Sequence, residues 1–154
     1  MTNADTSPDA RPVGVINLFT PFGRFDVTAD DVVTFPSGIP GFEQTKRFVI
    51  LQSAAIAPLS CLQSVDGDPV SFFVIDPRQA MAGYRNVLGQ ADLARLGAQP
   101  DTVLLWLSIV SFDDAERAFV NLRAPIVINP ERMLGYQVMP HNSLYPLRHP
   151  LASE

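Results

Sequence analysis

At 154 residues the chain is long enough to bury one substantial core and too short to expect two domains. Sixteen acidic against eleven basic residues leave a formal charge of −5, and the arginines are scattered, with Lys46 the only lysine. That balance lacks the clustered cations needed to grip a phosphate backbone, so it argues against direct nucleic-acid binding and for a basic protein partner.

Cys61 is the only cysteine, which rules out an internal disulfide. Residues 1–12 mix Thr, Asn, Asp, Ser and Pro without periodicity and without the apolar core of a signal peptide, so they read as a disordered leader ahead of one domain over 13–154. The longest apolar stretch, 103–110, falls far short of the roughly twenty residues of a membrane span. The expected compartment is the cytoplasm, with no membrane contact.

From residue 15 the text is strand-like. Residues 15–19 and 32–35 are apolar, and between them Phe25 and Val27 alternate with Arg24 and Asp26, as in a strand with one wet face. Short apolar segments follow at 48–51, 59–64 and 71–75, divided by Ala57-Pro58, by Asp66-Gly67-Asp68-Pro69 and by Asp76-Pro77, all turn chemistry. Leu88, Leu93 and Leu96 then take near-helical spacing with Gly97 placed at a stop, which predicts one short helix. Residues 102–110 fit helix or strand by periodicity alone. Their length, bounds and β-branched neighbours favour a central strand containing Trp106. Further strands are expected around 119–122, 126–128 and 136–139, with a short terminal piece at 145–147. About ten short strands, fourteen prolines and one short helix predict an all-β, mainly antiparallel barrel-like or sandwich fold.

Two strings stand out. In Gly38-Ile39-Pro40-Gly41-Phe42-Glu43, Pro40 supplies the fixed φ of a turn's second position and Gly41 the positive φ of a type II third position, so residues 39–42 read as a turn. In the second string, around Asn121-Leu122-Arg123-Ala124-Pro125-Ile126, Pro125 cannot donate to a ladder and should begin a strand, making a tight corner after Leu122. Asn121 is read as an amide satisfying backbone groups at that corner, with a recognition role as the alternative.

Familiar catalytic patterns are missing: there is no Gly-x-Ser-x-Gly, His-Glu-x-x-His or Cys-x-x-Cys, and no glycine-rich phosphate loop. His141 and His149 have no ligand spacing to complete a metal site, so no metal and no cofactor is expected. Cys61 and Trp106 read as core. The acids gather in turns: Asp66 and Asp68, Asp76, then Asp113, Asp114 and Glu116. Each alone is an ordinary solvated turn residue, but two clusters on one rim would make the negative patch a basic partner needs.

Taken in order, these strings resemble the FliW family of flagellar assembly factors. The likeness runs through Gly23-Arg24-Phe25, Phe35, Gly38-Ile39-Pro40-Gly41-Phe42, Leu62-Gln63-Ser64, Phe72-Phe73-Val74, Asn121-Leu122, Ala124-Pro125-Ile126, Gln137-Val138, Tyr145 and His149-Pro150-Leu151. The resemblance implies a small β-barrel-like body and a non-enzymatic, monomeric regulator with two protein ligands. One is flagellin before export; the other is the RNA-binding translational regulator CsrA, whose repression of flagellin translation is relieved on binding. The alternatives are a small-ligand barrel or hydrolase, and an RNA-binding barrel, which would require a basic, aromatic-studded face.

Overall fold

The computed structural model describes residues 15–140 and 143–151; the leader expected over 1–12 and His141 lie outside them. The strands are β1 (Ile16–Thr20), β2 (Gly23–Val27), β3 (Val33–Thr34), β4 (Arg47–Leu51), β5 (Ser60–Ser64), β6 (Ser71–Ile75), β7 (Leu105–Phe112), β8 (Ala118–Val120), β9 (Ile126–Asn129), β10 (Leu134–Gln137) and β11 (His149–Pro150). The helices are α1 (Pro77–Ala80) and α2 (Gln90–Arg95). The chain is thus mainly antiparallel β, as its turn chemistry and alternation predict.

Closure depends on β7. One edge of this eight-residue strand pairs with β6, while the other is shared: Leu105 to Leu107 pair with β9 and Val110 to Phe112 with β8. The β9 pairing, together with a single parallel contact of Leu134 in β10 with Thr34 in β3, joins β3, β4, β5, β6, β7, β9 and β10 into a closed barrel. A closed barrel has no free edge to template aggregation.

Strand alternation decides which side chains fill it. Phe48, Leu62, Val74, Leu107, Ile126 and Ile128 point inward and pack with Val33, Phe35 and Ile39. Full burial of each such side chain is worth about 1.5–3 kcal/mol. The opposite faces of the same strands are also apolar, and three covers bury them. The β1–β2 hairpin lies over Val49, Leu51 and Cys61. Residues of α1 and the following loop, with the C-terminal segment, cover Ile75, Val110 and Val120. Residues of α2 and its flanks cover Val127 and Val138, with Trp106 packed against them.

The helix expected before Gly97 is α2, closed by a Schellman motif: Gly97 has φ +64, its N–H donates to Ala94 O, and the Ala98 N–H donates to Leu93 O. Buried Asn129 in β9 donates from Nδ2 to Leu96 O at 2.8 Å, tying the helix end to the barrel.

Two sequence expectations need correction. There is a second short helix, α1, at the Asp76-Pro77 divider: the Asp76 carboxylate caps it by accepting the Arg78 N–H at 2.9 Å, with Pro77 in the first turn. Turn and helix start share this chemistry. The terminal strand is His149–Pro150, not residues 145–147. Tyr145 is held by side chains instead: its ring lies 4.5 Å from that of Tyr84, and its carbonyl accepts from Arg123 Nε at 2.7 Å. Only at His149 does the chain reach Val120 and begin a ladder.

Candidate partner-binding surface

The Gly38 to Phe42 string forms a turn that plugs one end of the barrel. The Phe42 N–H donates to Ile39 O, Gly41 has φ +89, and the Glu43 carboxylate accepts the Gly41 N–H at 2.9 Å. That backbone hydrogen bond holds the Glu43 carboxyl below the usual carboxylate range. Ile39 enters the core at 1% exposure, whereas Pro40 and Gly41 stay outside and the half-exposed Phe42 ring sits edge-on to Phe72 at 5.2 Å. A β-carbon on Gly38 would fall 2.6 Å from the Glu43 α-carbon, so the turn doubles back too tightly for any side chain there.

The second string is a bulge. Between the β8 and β9 pairings, β7 advances from Val110 to Leu107 while its partner runs from Val120 to Ile126, three extra residues on the partner side. Asn121 Oδ1 accepts the N–H groups of Arg123 (3.1 Å) and Ala124 (2.9 Å), which the interrupted ladder leaves without partners. Pro125 has no N–H to satisfy. Leu122 and Ile126 are fully buried and Ala124 nearly so, so this string builds the barrel and presents little surface.

The acidic residues divide. Strands alternate in direction, so the β3–β4, β5–β6 and β7–β8 connections emerge at one end of the barrel, and Asp66, Asp68, Asp113, Asp114 and Glu116 share it with the Ile39 to Phe42 turn. Asp76 sits at the other end, in the β6–β7 connection. Three of the six acids have structural work. Asp66 pairs with Arg47 at 2.8 Å. Asp76 caps α1 and pairs with Arg78, whose hydrogen bond lowers its pKa. Asp113 closes the β7–β8 hairpin, accepting N–H groups of Ala115 (3.0 Å) and Arg117 (2.8 Å) and pairing with the Arg117 guanidinium at 2.8 Å. The Arg117 N–H is the main reason its carboxyl is held below the usual range. The side chains of Asp68, Asp114 and Glu116 have no ion pair or hydrogen bond among the described residues, and Glu116 adopts φ +62 at the hairpin tip.

Residues that sequence patterns do not connect form a groove of about 750 Å³ on the barrel flank. Ile56 and Leu59 come from the β4–β5 connection, Phe112 and Glu116 from the β7–β8 hairpin, and Pro150 and Leu151 from the C-terminal segment. Among the described residues no group of three or more potential metal ligands occurs, and no helix is long and apolar enough to cross a membrane. Burial raises the pKa of the Cys61 thiol, which lies in the layer beneath the β1–β2 hairpin.

Comparison with known proteins agrees with this architecture. The family model described as FliW protein matches residues 19–151. The flagellar assembly factor FliW of Natranaerobius thermophilus is 36% identical over 135 residues, covering 86% of this chain and 89% of that protein. That of Thermotoga neapolitana is 34% identical over 137 residues, covering 88% and 92%. A crystal structure of the flagellar assembly factor FliW superposes with a TM-score of 0.80 at 32% identity, covering 89% of this chain and 97% of the other. With both the sequence and the closed, externally covered barrel matched nearly end to end, the chain belongs to the FliW family of flagellar assembly factors.

Proposed function

We propose that this FliW family member is a non-enzymatic, cytoplasmic regulator that works by exchanging protein partners: it binds flagellin before export and the RNA-binding regulator CsrA, relieving repression of flagellin translation. The observation that carries the reading is the gathering of two acidic loops at one end of the barrel, with Asp68, Asp114 and Glu116 unpaired among the described residues. A protein that grips RNA phosphates is basic, so an acidic antagonist finds it by electrostatics without touching RNA. If the two ligands exclude one another, each weakens the other by the same factor and the circuit needs no chemistry. Free flagellin takes the factor, CsrA is released, and translation stops until flagellin is exported.

The test is co-purification from the source cell with and without flagellin, probed for CsrA. CsrA should be retained only when flagellin is depleted. Charge reversal at Asp68, Asp114 and Glu116 should weaken CsrA binding more than flagellin binding, and more so at low salt. Retention of neither protein rejects the reading; equal losses for both ligands reject the acidic-end assignment.

A further inference from the structure

We infer that the pocket in front of Trp106, at the end of the barrel opposite the acidic loops, binds a small carboxylate with an apolar body, an aryl- or alkyl-carboxylic acid of metabolite size. It holds about 330 Å³, at the small end of the range for ligand sites. Val87, Leu104, Leu105 and Trp106 make its apolar wall. Trp106 packs against the α2 cover and lines the pocket as well; with Leu104 and Val87 it also lines a neighbouring cavity of about 300 Å³, so the apolar surface continues past the opening. Val87 and Val103 are each 81% exposed and Leu105 39%, which concentrates uncovered apolar side chains in one place.

Charge selects the head group. Three charged side chains line the pocket: Asp76, Arg78 and Arg85. The first two cancel, because both Asp76 oxygens accept from the Arg78 guanidinium, at 3.2 and 2.8 Å. Arg85 has no ion pair or side-chain hydrogen bond among the described residues, so the lining carries one uncompensated positive charge in a chain of net charge −5. A carboxylate is its complement, since the guanidinium offers parallel N–H donors to two oxygens.

The loop that carries Arg85 is held in place before any ligand arrives. Residues 84–89 form no regular element, yet three hydrogen bonds fix them: Tyr84 OH donates to Leu122 O at 2.9 Å, Asn86 Nδ2 donates to Tyr84 OH, and the Arg85 N–H donates to Tyr145 OH at 3.0 Å. Little ordering of the backbone is left to oppose binding. The pocket uses none of the unpaired acids of the far end, and its test needs neither CsrA nor flagellin.

Trp106 is the only tryptophan, so its emission reports occupancy. The probes are 3-phenylpropionate, 3-phenylpropanamide and 3-phenylpropylamine, which share one body and carry a negative, a neutral or a positive head. Titrated into the full chain, 3-phenylpropionate should change the emission saturably with a Kd on the order of 0.1–1 mM, about tenfold tighter than the amide, with the amine weakest. NMR shifts should fall on the backbone amides of Asn86, Val87 and Leu105. Arg85→Gln keeps the backbone N–H that Tyr145 accepts and should bring the carboxylate and the amide to equal affinity. Val87→Asp should weaken the carboxylate and place the amine above it. Both side chains are exposed, so both variants should melt with the parent chain. Equal binding of the three probes, shifts that map elsewhere, an anion preference that survives Arg85→Gln, or no saturation by either readout up to about 10 mM overturns the proposal.

Discussion

The Gly135 backbone in β10 lies flat against the Phe35 ring: a β-carbon there would fall 2.7 Å from Phe35 Cζ. Phe35 is fully buried and packs edge-on with Phe48 at 5.3 Å, so it has nowhere to retreat. Gly135→Ala should therefore destabilise by about 1–3 kcal/mol, the range for overpacking a filled core. Phe35→Leu in the same chain should recover part of that loss. Chemical denaturation of the single and double variants measures both, and additive losses would show that the two positions do not share this contact.

The Gly38 to Phe42 turn separates two causes of glycine dependence. Gly41 has φ +89 but open space around its α-carbon, so Gly41→Ala should cost only the left-handed strain, about 1–2 kcal/mol. Gly38 has φ +66 and a backbone clash at 2.6 Å with Glu43, which the turn cannot relieve by moving a side chain. Gly38→Ala should lower Tm clearly more than Gly41→Ala, and the reverse order would mean the turn can open.

Much of this architecture was legible in local chemistry. Pro40 and Gly41 specify their turn, Gly97 specifies the end of α2, and alternation around Phe25 and Val27 marks β2, because each signal acts within a few residues. What local chemistry cannot carry is partnership across the chain. The sharing of one β7 edge by β8 and β9, and the parallel meeting of β10 with β3, depend on residues tens of positions apart. The groove was hidden for the same reason, being assembled from three distant connections. The acids show a different limit: Asp113 and Asp114 are adjacent and read alike, yet one closes the hairpin and the other is unpaired among the described residues.

Asn121 should behave as a structural residue. Asn121→Ala strips the acceptor from the Arg123 and Ala124 N–H groups at a half-buried bulge, with an expected loss of about 1–3 kcal/mol, while Asn121→Asp keeps an acceptor and should retain most of the stability. Urea unfolding of the two variants decides it. Equal losses would assign the amide's importance to its Nδ2 donor instead.

The adjacent acids Asp113 and Asp114 give a paired test in acid. Hydrogen bonds from the Arg117 and Ala115 N–H groups hold the Asp113 carboxyl below its ordinary value, so its contribution is intact above about pH 4 and is lost as pH falls through the lower folded value. Asp113→Asn should reduce stability at neutral pH and flatten the decline below pH 4; Asp114→Asn, which breaks no side-chain hydrogen bond or ion pair among the described residues, should leave the stability at neutral pH unchanged. Melting curves from pH 2 to 7 would reject the assignment if the two variants coincide.

Tyr84 provides the alkaline counterpart. Its hydroxyl donates to Leu122 O at 2.9 Å and accepts from Asn86 Nδ2, and burial pushes its pKa up to about 12. An unfolded tyrosine ionises near pH 10, so the folded state must hold a neutral phenol while the unfolded chain gives up its proton. The stability this contributes is complete below about pH 10 and is lost as pH rises toward the folded value. Tyr84→Phe removes the titration but leaves the buried Leu122 carbonyl without its donor, a cost of about 1–3 kcal/mol at neutral pH. The variant should start less stable and then decline less steeply between pH 10 and 12. Parallel curves for the two proteins would show that alkaline unfolding is driven from elsewhere.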